Sequence, residues 1–488
     1  MSLAADRSAW AKTRALPKGR ALQLVRQAAT GVYDPDTANA ERRRMAMRLD
    51  QALVRLITTE SRLPQIEAEF SARHEANLGR ARNLLGGVDG PDAPTAGEAV
   101  SNAVRSLGES LRDCPETESA GIWNLLRDIA ATDKAGRQAL EQAIAETRDA
   151  PHPGAANTPA GTPLDAAALD AYLGTWVWDG PRPKVAGVEA LVGGQSKSTF
   201  LVDIEPGSGP AGWRDGVVVR MDTGNFDFSV TEEYPLLERL FEAGISVPEP
   251  LLLEPRGDVF GQPFLITRRL AGAAPGMLID TAGATPEAAL ALAEALGRLH
   301  SVPVADLVDS PPADLPEIVE AARANYEQSW RSSSLPPSVA VELGHVWIRE
   351  NVHKLTAKPC LVHGDAGLHN ILLDEGQLTG MLDWEFAHVG DPAEDLAYCR
   401  PAVERLVPWE QFMERYRDSG GPEISADRLA FFGVWCQLKN SALAAGVLRD
   451  VAAGKINNID MLVTAIDTHA RFEAMLSQHL DALISAGH

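Results

Sequence analysis

The segment Leu361-Val-His-Gly-Asp-Ala-Gly-Leu-His-Asn370, followed by Leu382-Asp-Trp-Glu385 and Gly390-Asp-Pro-Ala-Glu-Asp395, constrains the fold of this chain more than any other part. Asp365 and Asn370 stand five residues apart across a short loop. Between them and Asp383 lies Ile371-Leu-Leu-Asp-Glu-Gly-Gln-Leu-Thr-Gly-Met-Leu382, which reads as strand, Asp-Glu-Gly turn, strand. Such a hairpin returns Asp383 to the loop that carries the first two residues. Whatever the rest of the chain does, it must support these three polar side chains in one place.

The residue types say what that place is for. A transferring phosphoryl group keeps its charge on its outer oxygens, so a protein contributes mainly positioning and electrostatic stabilisation, and hard magnesium ions take oxygen ligands. In this reading Asn370 and Asp383 bind Mg2+, while Asp365 orients an acceptor hydroxyl and takes its proton. His363 braces the loop.

His-Gly-Asp-x-x-x-x-Asn over 363–370, then hydrophobic-Asp-Trp-Glu over 382–385, then Gly-Asp-Pro-x-x-Asp-Leu-Ala over 390–397, resembles the aminoglycoside phosphotransferase and choline kinase-like superfamily of small-molecule kinases. The run from Leu382 to Tyr398 is similar to the branch found with acyl-CoA dehydrogenases. The resemblance implies an α+β fold, a bilobal protein-kinase-like domain with a small, mostly β N-lobe and a large, mostly α C-lobe, here preceded by an all-α helical domain. It implies ATP and Mg2+ as cofactors and transfer of the γ-phosphate to a small-molecule hydroxyl. A hydroxyacyl-CoA is the acceptor this branch implies; an aminoglycoside or other antibiotic is the alternative, and a nucleotide-binding regulatory pseudokinase is a third reading. By the same resemblance Asp391 braces the catalytic loop and Asp395 lies nearer the acceptor. Two carboxylates that simply favour a helix N-terminus are the plain alternative.

Upstream, Val188 to Ile204 reads as two strands joined by Gly193, Gly194, Gln195 and Ser196, which can bring backbone donors onto phosphates. A hairpin turn alone would look the same; the resemblance makes it the nucleotide-covering loop. Lys197 does not make this a P-loop, because the Gly-x-x-x-x-Gly-Lys-Ser/Thr spacing is absent. The strand Gly216 to Met221 ends near Arg220, where kinase-like folds place a phosphate-contacting lysine, and Glu233 on the following helical segment is its expected partner. Arg268, Arg269 and Leu270 then enter the hinge, where backbone groups are expected to meet adenine.

At 488 residues the chain exceeds one compact core. Residues 1–148 read as a helical accessory domain, with Met45, Leu49, Ala52, Leu53 and Leu56 on one stripe. Residues 149–163, rich in Pro, Gly and Ala, read as a flexible linker. The N-lobe spans 164–272 and the helical C-lobe 273–488. A net charge of −22 disfavours nucleic acid and anionic membranes as partners, and the consecutive Arg42, Arg43 and Arg44 read as a solvated face. The partners expected are a small-molecule acceptor and a second copy or another protein docked on the helical domain. Scattered cysteines, no membrane-length apolar run and no signal-peptide core at Met1 give the expectation of a reduced, cytoplasmic protein.

Overall fold

The computed structural model describes residues 68–85, 96–113, 116–148, 164–191, 197–224, 228–276, 281, 283–333, 335, 338–453 and 459–486, with isolated positions 55, 58, 62, 65 and 66. The glycine loop 193–196, the linker 149–163, Arg42 to Arg44, Cys114 and the expected stripe of Met45, Leu49, Ala52, Leu53 and Leu56 lie outside the described residues. The chain forms two compact units. One comprises Met1–Ala160, Arg323–Glu350 and Gln437–His488; the other comprises Gly161–Ala322 and Asn351–Cys436. Segments 323–350 and 437–488, read from sequence as part of one C-lobe, thus group with the N-terminal helices.

The described residues of the first unit are mainly helical. Val100, Val104 and Leu107 are buried along the helix Ala96–Ser110, and Ile122, Leu125, Leu126 and Ile129 along Glu116–Arg148. Three- and four-residue spacings put each set on one stripe, and burying each large aliphatic side chain contributes about 1.5–3 kcal/mol. Leu476 and Leu480 do the same on Ile459–Ala486. Arg137 joins Asp133 at 2.8 Å to Glu473 at 2.9 Å and Ser338 Oγ at 3.0 Å.

The second unit carries the mixed architecture. Strands β1 (Val185–Leu191), β2 (Lys197–Ile204), β3 (Val217–Asp222), β4 (Pro250–Glu254) and β5 (Phe264–Arg268) form an antiparallel sheet in the order β1-β2-β3-β5-β4. Side chains alternate across its two faces. Phe200, Val202, Val217, Val219, Phe264 and Ile266 take one face and pack with Leu169 and Leu173 of the helix Ala166–Leu173. The other face therefore receives Lys197 and Thr199 from β2 and Arg220 and Asp222 from β3, paired Thr199 with Arg220 and Lys197 with Asp222. Leu265, also on this face, joins Val230, Leu237 and Leu240 of the helix Val230–Glu242.

That helix starts where it does because two side chains cap it. Ser229 Oγ accepts the Thr231 amide, and Asp222 accepts both Ser229 Oγ, at 2.7 Å, and the Val230 amide, at 3.0 Å. Beyond the sheet, Leu292, Leu296 and Leu299 of the helix Pro286–Ser301 share a core with Phe412 and Tyr416 of the helix Trp409–Asp418. Gly297 lets the two backbones approach, since a Cβ there would stand 2.4 Å from the Tyr416 carbonyl oxygen.

Two short ribbons complete the support for the loop of interest. Strand β6 (Cys360–Val362) pairs with β9 (His388–Gly390), and β7 (Ile371–Asp374) with β8 (Gln377–Met381). The β7–β8 turn is two residues, Glu375 at φ 47° and Gly376 at φ 81°, both left-handed as a type I′ hairpin requires. The helix Ala393–Val403 follows β9.

Candidate active site

The hairpin does what its spacing predicts. It carries the chain from Asn370 out and back to Asp383, and the Leu382 amide closes on the Asn370 carbonyl at 2.8 Å. Asn370 donates from Nδ2 to the Asp365 carbonyl oxygen at 3.0 Å and to Asp365 Oδ2 at 2.9 Å. With its NH2 group committed to Asp365, the atom Asn370 has left for a cation is its amide oxygen.

His363 is fully buried and braces the loop through both ring nitrogens. Nε2 lies 2.9 Å from the Leu382 carbonyl, which can only accept, so Nε2 carries the proton and Nδ1 accepts the Asp365 amide at 3.3 Å. The ring also rests on Trp384, centroids 4.6 Å apart. Gly364 between them has φ 79°, and a Cβ there would stand 2.3 Å from the Phe386 carbonyl oxygen. Only glycine fits that turn.

Asp365 has two further partners that the sequence did not point to. His369 Nε2 lies 3.3 Å from Asp365 Oδ2, and the Tyr398 hydroxyl hydrogen-bonds the same carboxylate. Burial alone would raise the Asp365 pKa, but charge and hydrogen bonds from His369, with Tyr398 and His363, bring it down to about 2. Burial would lower that of His369, yet Asp365 holds it above the usual imidazole range. Burial and then Asp365 push the Tyr398 phenol well up, so it is a neutral donor. Tyr398 stands one helical turn beyond Asp395, and that spacing was the signal available for it.

Asp395 corrects an expectation. It is fully buried, accepting the His363 amide at 2.7 Å, the Gly364 amide at 2.8 Å and His300 Nε2 at 3.0 Å. His300 in turn meets the Tyr416 hydroxyl at 3.0 Å. Burial acts to raise the Asp395 pKa, and His300 and His363 hold it below the ordinary carboxylate range. With its oxygens committed to the loop backbone, Asp395 braces the turn and does not face an acceptor. Asp391 is also fully buried, accepting the Ala393 amide at 2.8 Å and Arg428 through Nε at 3.0 Å and a terminal nitrogen at 2.6 Å.

On the sheet, Arg220 pairs with Glu233, and its second terminal nitrogen donates to Asp383 Oδ1 at 2.6 Å. Burial opposes the guanidinium charge, but Glu233, Asp383 and Glu385 raise its pKa above the ordinary arginine value. Asp383 sits at φ 65°, a left-handed conformation that is uncommon outside glycine. The Arg268 amide is bound to the Glu249 carbonyl at 2.9 Å and the Arg269 amide to the Gly216 carbonyl at 3.2 Å, while their side chains pair with Asp215 and Asp203. Those two amides are spent within the sheet region, so neither is free to donate to adenine. Leu270 follows them directly, ahead of the Ala273–Leu373 bridge.

The model for the phosphotransferase enzyme family, APH, matches residues 187–432. Mouse acyl-CoA dehydrogenase family member 11 is 23% identical over 330 residues, 62% of this chain and 42% of that protein. The chain thus spans about two fifths of the length of that relative. Viomycin phosphotransferase of Streptomyces vinaceus is 30% identical over 201 residues, 39% of this chain and 68% of that enzyme. The solved macrolide 2'-phosphotransferase of Brachybacterium faecium, 17% identical, covers 62% of this chain and 98% of its own with a TM-score of 0.44. With half of its length, including every residue of the loop and hairpin, inside the family match, the chain belongs to the phosphotransferase enzyme family.

Proposed function

We propose that the chain is an ATP-dependent kinase that moves the γ-phosphoryl group to a hydroxyl of a small molecule, with a hydroxyacyl-CoA as the acceptor class. The observation that carries this reading is the convergence of Asp365, Asn370 and Asp383 on one loop and hairpin, with Arg220 bound to Asp383. Among the described residues no group of three or more His, Cys, Asp or Glu side chains could hold a metal alone. Mg2+ needs no such cage, because it habitually combines one or two protein oxygens with substrate phosphates. The Asn370 amide oxygen and the Asp383 carboxylate, whose side chain is 35% exposed, fit that role. When bound, the ion would neutralise charge on the phosphates.

The remaining steps belong to the chain's own residues. Asp365, fixed by Asn370, His369 and Tyr398, orients the acceptor hydroxyl. As that oxygen bonds to the γ-phosphorus, the bond to the leaving ADP oxygen breaks and the hydroxyl proton passes to Asp365. A carboxylate with a pKa near 2 is a weak base, so positioning is its larger contribution and the proton moves late. Arg220 and the loop 193–196 would hold the phosphates, and Leu270 the adenine through its backbone.

The acceptor class is supported by the likeness to acyl-CoA dehydrogenase family member 11, and an antibiotic acceptor by the likeness to viomycin phosphotransferase. The test is incubation with ATP and Mg2+ beside pooled hydroxyacyl-CoAs, aminoglycosides and simple alcohols, read by mass spectrometry against Asp365→Ala. A product heavier by one phosphate on a hydroxyacyl-CoA, absent with Asp365→Ala, is the expected result. Phosphorylation of an antibiotic alone would overturn the acceptor class, and turnover retained by Asp365→Ala would overturn the role of the loop.

A further inference from the structure

We infer that Lys197 is a positioning residue for Asp383, acting through Glu385; the inference rests on the phosphotransferase reading above. Lys197 opens β2, and its side chain is only 2% exposed. Its ammonium donates to the Phe228 carbonyl and forms ion pairs with Asp222 Oδ1 at 3.2 Å and Glu385 Oε2 at 3.8 Å. An ammonium has three donors and no acceptor, and here three acceptors surround it in a place water hardly reaches. Lys197 is thereby removed from the set of phosphate ligands, although it directly follows the glycine loop.

The cost of burying that charge asks for a reason, since an aliphatic side chain of the same length would fill the space without it. Each partner of Lys197 leads to Asp383. Asp222 caps the helix Val230–Glu242, which presents Glu233 to Arg220, and Arg220 holds Asp383. Glu385 stands two residues beyond Asp383, itself only 8% exposed. Phe228, whose carbonyl Lys197 grips, packs edge-on against Phe386 with centroids 5.1 Å apart.

Asp383 needs such support because its φ of 65° is strained. A non-glycine residue there is held at a cost and persists only where its surroundings over-determine it. On the upstream side the Leu382 amide and carbonyl are fixed by Asn370 and His363. On the downstream side the Trp384 amide reaches Glu233 Oε1 at 3.4 Å, and Glu385 is held by Lys197. Lys197 is the tie from β2 to this downstream side, and releasing it frees Asp383 to leave the geometry in which its oxygens serve a cation.

The experiment is a titration of Mn2+ by electron paramagnetic resonance in the presence of AMP-PNP, which cannot be turned over, for the full chain and for Lys197→Met, Lys197→Arg, Glu385→Gln and the Met–Gln double variant. Lys197→Met is expected to weaken Mn2+ binding about 10-fold, the scale on which residues that orient a metal ligand act. Lys197→Arg should recover part of the loss, and the double variant should bind Mn2+ no worse than Lys197→Met alone. Metal-free AMP-PNP affinity should stay at the parental value. Mn2+ binding unchanged in Lys197→Met, or additive losses in the double variant, would overturn the inference whatever happens to the melting temperature. Should Lys197→Met fail to fold, Glu385→Gln carries the same prediction and the same refutation. A parental chain that binds no Mn2+ with AMP-PNP would instead refute the phosphotransferase reading itself.

Discussion

Arg220 donates to Asp383 Oδ1 at 2.6 Å while its other terminal nitrogen is held by Glu233, so one guanidinium joins strand β3, the helix Val230–Glu242 and the residue that ends the hairpin. The planar fork makes this double contact possible, and an ammonium presents no such fixed geometry. Arg220→Lys should therefore keep part of the activity, whereas Arg220→Gln should lower kcat/KM by about 100-fold, the scale of losing one preorganised electrostatic contact. Steady-state kinetics with varied ATP would check both, and a glutamine variant of parental activity would contradict the role.

Tyr398 acts on Asp365 through its hydroxyl. Tyr398→Phe keeps the ring and removes only that donor, and hydrogen bonds to charged groups are worth about 1.5–3 kcal/mol, of which the site loses a part. The expected outcome is a fall in kcat of roughly 10-fold with little change in the KM for ATP. A change confined to KM would place Tyr398 on the nucleotide side instead.

Asp395 satisfies two loop amides and His300 with one buried carboxylate. Asn would keep the shape but offers a single acceptor oxygen and turns an NH2 group toward donors. Each buried donor left unpaired costs about 1–3 kcal/mol. Asp395→Asn should lower the melting temperature and, by loosening His363 and Gly364, lower kcat as well. Calorimetry beside kinetics tests this, and a variant that loses activity with an unchanged melting curve would restore a direct role toward the acceptor.

In the helical unit, burial drives the His345 pKa down to about 3 from an ordinary 6.5, with Arg323, Arg331 and Arg349 adding to the effect against Glu327. The folded value is the depressed one, so the unfolded chain takes up the proton first as pH falls. Stability linked to His345 is therefore intact above the unfolded value and is lost as pH drops from 6.5 toward 3, at about 1.4 kcal/mol per pH unit. Denaturant unfolding at several pH values across that window should show a shallower acid loss for His345→Leu than for the parental chain. Parallel curves would contradict the shift.

Much of the site was legible because it is local. Asp365, Asn370 and the hairpin to Asp383 lie within one short stretch, where residue spacing and turn chemistry fix what the backbone can do. The pairing of Arg220 with Glu233 was legible for the same reason, strand and following helix being neighbours in sequence. Asp395 was misread toward the acceptor because acids at a helix start look alike whether they face a cleft or a buried amide. Which amides at the hinge are already paired was not legible, because those of Arg268 and Arg269 bond to residues 249 and 216.

By itself the sequence determined the chemistry: an acid, an amide and a second acid, delivered to one loop by a tight hairpin, with the oxygens phosphoryl transfer needs. Only the tertiary structure decided how those groups are held. Arg220 meets Asp383 across 163 positions, Lys197 meets Glu385 from strand β2, Tyr398 reaches Asp365, and His300 reaches Asp395 from another helix. The physical reason is that hydrogen bonding along the backbone has a short range and a fixed period, so it can be read residue by residue. Convergence of distant side chains depends on how whole faces pack, and no local spacing records it.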